Sequence, residues 1–196
     1  MKTKIIAEIG PNHNGSFDLA LEIITKLKNK GIDYVKFQIA SPNDVYSKDA
    51  FLARYQKKNI KEKSIKEMSK KIQLSKSNHK KLFDFCSKNK IRYSCSAFDL
   101  KSLNFIYKNC NLPFFKIPSG EILSLDILDF IKSKNLPIIL STGASDISEI
   151  EYSLNYLQSH EKKDITIMHC VSSYPARLDE INMNFMTYLK NKFNTK

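Results

Sequence analysis

Six short apolar runs recur along this chain, and each stops abruptly on charged, small or hydroxyl-bearing residues. They are Ile5 to Ile9, Tyr34 to Ile39, RYSCSAF (92–98), FKIPSGEI (115–122), PIILSTG (137–143) and ITIMHCVSSYP (165–175). Runs this apolar leave no wet face, so each reads as a parallel strand covered on both sides. Helical patterns lie between them. Ser16 offers an N-cap for the apolar positions from Phe17 to Leu27, and Gly31 a stop. Ser77 to Asn89 is amphipathic. Asp99 and Ser124 cap two more helices, the second reaching about Lys134. Asp146 and Glu149 have capping-box spacing for a helix to about Ser159, and Ile181 to Phe193 makes the last. This alternation predicts a parallel sheet with helices on its faces.

Two closures satisfy that pattern. An open doubly wound sheet gathers its polar site residues near one switch point, whereas a (β/α)8 barrel collects them from the C-terminal ends of many strands. Here Glu8, Lys36 with Gln38, Ser96, Lys116 to Glu121, Ser141, and Ser172 with Tyr174 stand at the ends of all six runs. The distribution predicts an α/β protein of the TIM-barrel type. Residues 40–75 break the rhythm, and their lysine-dense stretch around Ala50 to Lys71 predicts an insertion over the rim of the site, holding a short helix.

Within FKIPSGEI, Lys116 can meet an anion as a point charge, Gly120 lets a backbone approach a ligand closely, and Glu121 can accept a proton or a sugar hydroxyl. The net charge of +12 comes from 32 basic and 20 acidic residues, but only Arg54, Arg92 and Arg177 are arginine. A lysine excess spread over the whole chain argues against a groove built for phosphodiesters. Positive potential would still draw in small anionic substrates. The four cysteines, Cys86, Cys95, Cys110 and Cys170, show no CxxC pair and no metal-ligand spacing, which fits a reducing compartment. Glu8 interrupts the N-terminal apolar stretch before a signal h-region could form, and no run approaches the ~18 apolar residues of a membrane span. The expectation is a cytoplasmic protein with no nucleic-acid or membrane partner.

In this order, IAEIGPNHNGS, VKFQ, KIPSGE, PIILSTG and HCVSSYP resemble the motifs of the N-acetylneuraminate (sialic acid) synthase family, which includes pseudaminic and legionaminic acid synthases. The resemblance spans almost the whole chain. It implies a TIM-barrel enzyme that condenses phosphoenolpyruvate with the open-chain aldehyde of an N-acetylated amino sugar, giving a nine-carbon nonulosonic acid and phosphate. It further implies Lys36 and Lys116 as cations for the carboxylate and phosphate of phosphoenolpyruvate, with Lys116 counted as catalytic. Ser96, Ser119, Gly120, Ser141 and Ser172 resemble the family's small positions that donate hydrogen bonds to those oxygens. Ser96 stands in CSAF where relatives often have STPF, and serine can still donate. Glu8 resembles the glutamate that meets the reacting centre and Glu121 the one beside phosphoenolpyruvate, both as catalytic groups that move a proton or orient water. Gln38 and Tyr174 fall near the amino sugar. From the residues alone, Glu8 could as well cap a strand and Tyr174 could pack. His13 reads as a stabiliser of its loop and His169 as a satisfied core histidine in a strand.

The family uses a divalent metal, Mn or Mg, held by histidines of the seventh and eighth strands in Ser-Asp-His-Thr and Glu-(Lys/Arg)-His contexts. Neither context occurs in this sequence, and His79 and His160 have other surroundings, so no metal ligand is assigned here. A typical barrel takes about 250 residues, and the family's antifreeze-like domain has no counterpart in residues 1–196. The expectation is one partial barrel domain over 1–196, truncated after six strand-helix units. Its exposed strand edge would be covered by a second copy or a completing polypeptide. A truncated gene, a split enzyme and an oligomer stay open. So does the alternative of a non-catalytic phosphoenolpyruvate-binding or assembly fragment.

Overall fold

Strand ends and helix caps position the polar residues of this chain, and a computed structural model describes them over residues 3–47, 50–52, 62, 64–159 and 163–194. The chain divides into two compact units, residues 1–113 and 114–196.

The first unit contains β1 (Ile6–Glu8), α1 (Phe17–Leu27), β2 (Tyr34–Ile39), α2 (Pro42–Val45), α3 (Ile65–Ile72), α4 (Lys76–Lys88), β3 (Arg92–Ala97) and α5 (Leu100–Asn109). β2 pairs in parallel with both β1 and β3, in a register that aligns Glu8 with Lys36 and Ser94, and Gln38 with Ser96. Side chains alternate across a strand. Val35, Phe37 and Ile39 therefore share a face with Tyr93, Cys95 and Ala97, and all six are buried. Ala20 and Ile24 of α1, Leu82 and Cys86 of α4, and Leu103 and Ile106 of α5 are buried as well and supply the helical half of this core. Each buried aliphatic or aromatic side chain stabilises the unit by about 1.5–3 kcal/mol. The opposite face carries Glu8, Lys36, Gln38, Ser94 and Ser96. Lys36, Ser94 and Ser96 are buried, Gln38 is half-buried and Glu8 is exposed, so this face is polar and only partly sheltered, where the apolar runs predicted no wet face.

Caps explain where the helices begin. The hydroxyls of Ser16, Ser64 and Ser75 and the carboxylate of Asp99 each accept a backbone N–H three residues on. α4 thus starts from Ser75, one turn-fraction before the expected Ser77. α1 stops at Leu27, and the chain turns through Asn29 and Gly31, both left-handed. Gly31 therefore belongs to a turn that has already begun.

Of the 40–75 insertion, residues 48–49, 53–61 and 63 lie outside the described residues. The expected short helix is α3. Its neighbourhood is held by hydrogen bonds from Ala40 N–H to Gln73 Oε1 and from Ser41 N–H to Asp99 Oδ2, at 3.3 and 2.7 Å.

The second unit contains β4 (Phe115–Ile117), a 3-10 turn (Ser119–Glu121), α6 (Leu125–Lys132), β5 (Ile138–Ser141), α7 (Ile147–Gln158), β6 (Ile165–Met168), a second 3-10 turn (Leu178–Glu180) and α8 (Asn184–Phe193). β5 pairs in parallel with β4 and β6. Phe115, Ile117, Ile138, Leu140 and Ile165 face Ile127, Leu128, Ile131, Ile150 and Leu157 in its core, all of them buried. The other face aligns Lys116 with Ile139 and Thr166, and Ser141 with Met168.

Both halves of the Asp146/Glu149 capping box form. Ser124 stands at the N-cap of α6 but its hydroxyl donates to Glu121 instead of accepting a helix N–H. The last helix begins at Asn184, because Leu178–Glu180 spends the preceding residues on a 3-10 turn. None of the described helices is long and apolar enough to cross a membrane, and all four cysteines are free thiols.

Candidate functional site

In the first unit the polar face is wired around Lys36. Its buried ammonium forms an ion pair with Glu8 Oε2 and donates to Ser96 Oγ at 3.1 Å. Glu8 Oε1 accepts from Gln38 Nε2 at 3.2 Å. Glu8, Lys36, Gln38 and Ser96 are thus one hydrogen-bonded group, with Lys36 side chain 9% exposed and Glu8 47% exposed. The chain leaves β1 through Gly10, at φ +49°, where a Cβ would stand 3.1 Å from Glu8 Oε1. A left-handed turn in contact with a carboxylate is a position glycine satisfies without strain.

The loop after Gly10 is held from the helix side. His13 is buried, its Nδ1 accepts the Gly15 N–H at 3.1 Å, and its ring stacks on Phe37. This bears out the loop-stabilising role read for His13. His79 meets the same Phe37 edge-on, and its Nδ1 hydrogen-bonds Tyr93 Oη at 2.9 Å. Burial lowers the His13 imidazole and, with His13 nearby, lowers His79 to about 4. Both rings are consequently neutral at pH 7 and belong to the helix-facing core.

In the second unit the cluster forms around Lys116, which is buried beside Ser141. Its ammonium donates to Ser141 Oγ and to the Ile117 carbonyl oxygen, the latter at 3.0 Å. Ser119, on the turn after β4, accepts the Gly143 N–H at 3.0 Å. Ser172, past β6, is exposed and borders Gly143. Glu121 ends the same turn as Ser119, with its carboxylate tied to Ser124 at the start of α6. A Cβ on Gly120 would meet nothing within 4 Å, so no contact inside the protein demands glycine there. Tyr174 is 69% exposed in the loop after β6.

One chemical feature recurs in both units. Ser96 and Ser141 accept from lysine ammoniums, and Ser119 accepts from a backbone amide. A hydroxyl has one proton, and an oxygen already accepting such a bond keeps that proton to donate. In the first unit Ser96 is thus set as a donor beside Lys36, and in the second Ser141 is set beside Lys116 with Ser119 a further donor on the turn after β4; each group by itself suits an oxygen-rich, unprotonated ligand group.

Sequence reasoning passed over Thr142 and Gly143. Thr142 is buried, and its hydroxyl and amide both donate to the Met168 carbonyl, at 2.9 and 3.2 Å, which fastens the end of β5 to β6. Gly143 lies against two serine hydroxyls. Both were visible as small residues closing PIILSTG, but nothing in a linear pattern says which side chains will press on a glycine. His169 also departs from its reading. It follows β6 instead of lying in it, rests edge-on against Phe185, and its Nε2 is buried without a hydrogen-bond partner.

Among the described residues, no three of His, Cys, Asp and Glu stand together as a metal ion would require. His160 lies outside them. The described residues therefore do not fit a divalent metal.

The profile of the NeuB family matches residues 23–196. The N,N'-diacetyllegionaminic acid synthase of Campylobacter jejuni is 40% identical over 195 residues, which are 98% of this chain and 58% of that protein. Its counterpart in Legionella pneumophila is 34% identical over 96% of this chain and 54% of its own length. The chain thus spans about half the length of the curated relatives it matches. Among solved structures, an N-acetylneuraminic acid (sialic acid) synthetase from Leptospira borgpetersenii aligns with all of this chain and 63% of its own, with a TM-score of 0.86 at 26% identity. That likeness bears out the (β/α)8-barrel type over the open doubly wound sheet.

Proposed function

Because this chain belongs to the NeuB family, we propose that its strand-end lysines and serines bind phosphoenolpyruvate for condensation with an N-acetylated amino-sugar aldehyde, giving a nonulosonic acid and phosphate. The observation that carries this reading is that each unit sets a serine hydroxyl as a donor next to a buried lysine, Ser96 by Lys36 and Ser141 by Lys116, with Ser119 freed to donate by the Gly143 amide. Phosphoenolpyruvate carries a carboxylate and a phosphate, both acceptors only when ionised. Fixed cations and donors stabilise such charge without reorganising as phosphate departs. In this reading Lys116 serves the departing phosphate, and Glu8 and Glu121 handle proton transfer or orient water. Gln38 and Tyr174 meet the amino sugar, and Gly120 and Ser172 complete the anion contacts.

A second reading rests on the missing metal group among the described residues and on the half-length match to relatives. In it, this stretch binds phosphoenolpyruvate in the cytoplasm, while the metal and the rest of the sugar site come from a further polypeptide segment or a second copy. Either way, binding is the first test. Calorimetry with phosphoenolpyruvate on the purified chain should show saturable uptake, and Lys116→Ala should weaken it at least ~30-fold, about 2 kcal/mol of lost charge-assisted contact. No heat of binding from a well-folded sample would sink both readings. Phosphate release from phosphoenolpyruvate and an N-acetylated amino sugar, with manganese, then separates them: turnover by this chain alone favours the first.

A further inference from the structure

We propose that Gly143 is a positioning residue that sets the spacing of the Ser119 and Ser172 hydroxyls, and so the size of the oxyanion the second unit accepts. The inference rests on the anion-binding reading above and deepens it. Gly143 has no left-handed backbone angle, so turn geometry does not demand glycine there. Space demands it. A Cβ at this position would lie 2.5 Å from Ser172 Oγ, 3.0 Å from Ser119 Oγ and 3.3 Å from Cys170 Cβ.

The first distance is far inside van der Waals contact and the second is tight. At the same time the Gly143 N–H donates to Ser119 Oγ, which leaves the Ser119 proton for a ligand. One residue therefore does two things: its amide orients one hydroxyl, and its missing side chain lets the other draw near. Its neighbour Thr142 is fixed to the Met168 carbonyl by two hydrogen bonds, so the backbone at 143 is not free to swing away from an added methyl. The methyl would displace Ser172 instead, because Ser172 is exposed and in a loop past the end of β6.

The test is a double-mutant cycle of Gly143→Ala and Ser172→Ala, read by calorimetry with phosphoenolpyruvate and by urea unfolding of the ligand-free proteins. Ser172→Ala removes one hydroxyl and should weaken binding about fivefold. Gly143→Ala should weaken it at least tenfold. If the methyl acts through Ser172, the double variant binds much as Ser172→Ala does, because the overlapping oxygen is gone. Losses that multiply, or a Gly143→Ala protein that binds like wild type, overturn the proposal.

Should the wild type bind no phosphoenolpyruvate, the functional reading fails and the unfolding arm still decides the steric claim. A Gly143→Ala drop in urea midpoint that largely disappears in the Ser172→Ala background supports it. An equal drop in both backgrounds refutes it.

Discussion

Neutralising Glu8 is expected to tighten anion binding, the reverse of what removing a site residue usually does. In the ligand-free protein the Lys36 charge is already answered by Glu8, which also holds Gln38. An oxyanion arriving at Lys36 must share that ammonium with a carboxylate of its own sign. Two unit charges about 5 Å apart repel by roughly 3 kcal/mol at an effective dielectric of 20 and by less than about 1 kcal/mol in bulk water. Glu8 is 47% exposed, which places the pair between those limits, at about 1–2 kcal/mol.

Glu8→Gln removes the charge; its single amide oxygen can accept from Lys36 or from Gln38 but not both, because the two now meet separate carboxylate oxygens. Affinity for inorganic phosphate or phosphoenolpyruvate should rise about 5- to 30-fold. The gain should shrink as salt is raised, since the Debye length falls from about 10 Å at 0.1 M to about 3 Å at 1 M. Calorimetry at two salt concentrations measures both effects. Turnover, if Glu8 moves a proton, should fall in the same variant, so tighter binding and slower chemistry would appear together. Unchanged or weaker binding by a Glu8→Gln protein with wild-type circular dichroism would refute the idea that Glu8 occupies the anion's place on Lys36.

Two further outcomes concern the scaffold. The unfolded chain protonates His79 near pH 6.5 and the folded chain only near pH 4, so His79 contributes stability that is complete above pH 6.5 and is lost as pH falls from 6.5 toward 4. The loss is on the order of 3 kcal/mol, and urea midpoints across that window should flatten in His79→Gln. Gly15 is left-handed at φ +77°, and a Cβ on it would overlap the Lys71 carbonyl oxygen. Gly15→Ala should destabilise the fold by about 2–3 kcal/mol in urea unfolding, and a change under about 0.5 kcal/mol would show that the loop and α3 separate freely.

The strands and helices of this chain were legible because their signals are local. An apolar run ending on Ser or Glu, or Asp146 three residues before Glu149, carries its own partner nearby, and both halves of that box are formed. Where two residues offer the same local chemistry, the pattern is silent. Ser75 and Ser77 can both cap, and the first does. Ser124 can cap or can bind a carboxylate, and Glu121 three residues earlier takes its hydroxyl.

The candidate site was legible in its residue types and not in its connections. YVKFQI and RYSCSA alternate strictly, but serine and cysteine are small enough that the alternation passes for a continuous apolar run. Only the register shows that Lys36, Gln38, Ser94 and Ser96 share one face. The same limit explains the glycines. Gly120 was conspicuous beside Lys116 and has open space around it, whereas Gly143 is pressed by hydroxyls that stand 24 and 29 positions away in sequence. Whether a glycine is required depends on what its absent Cβ would strike, and that is decided by strand pairing. The contact of Glu8 with Lys36 in the first unit and the empty Cβ position at Gly143 in the second are the features on which the proposed anion binding turns, and neither is something a linear pattern can weigh.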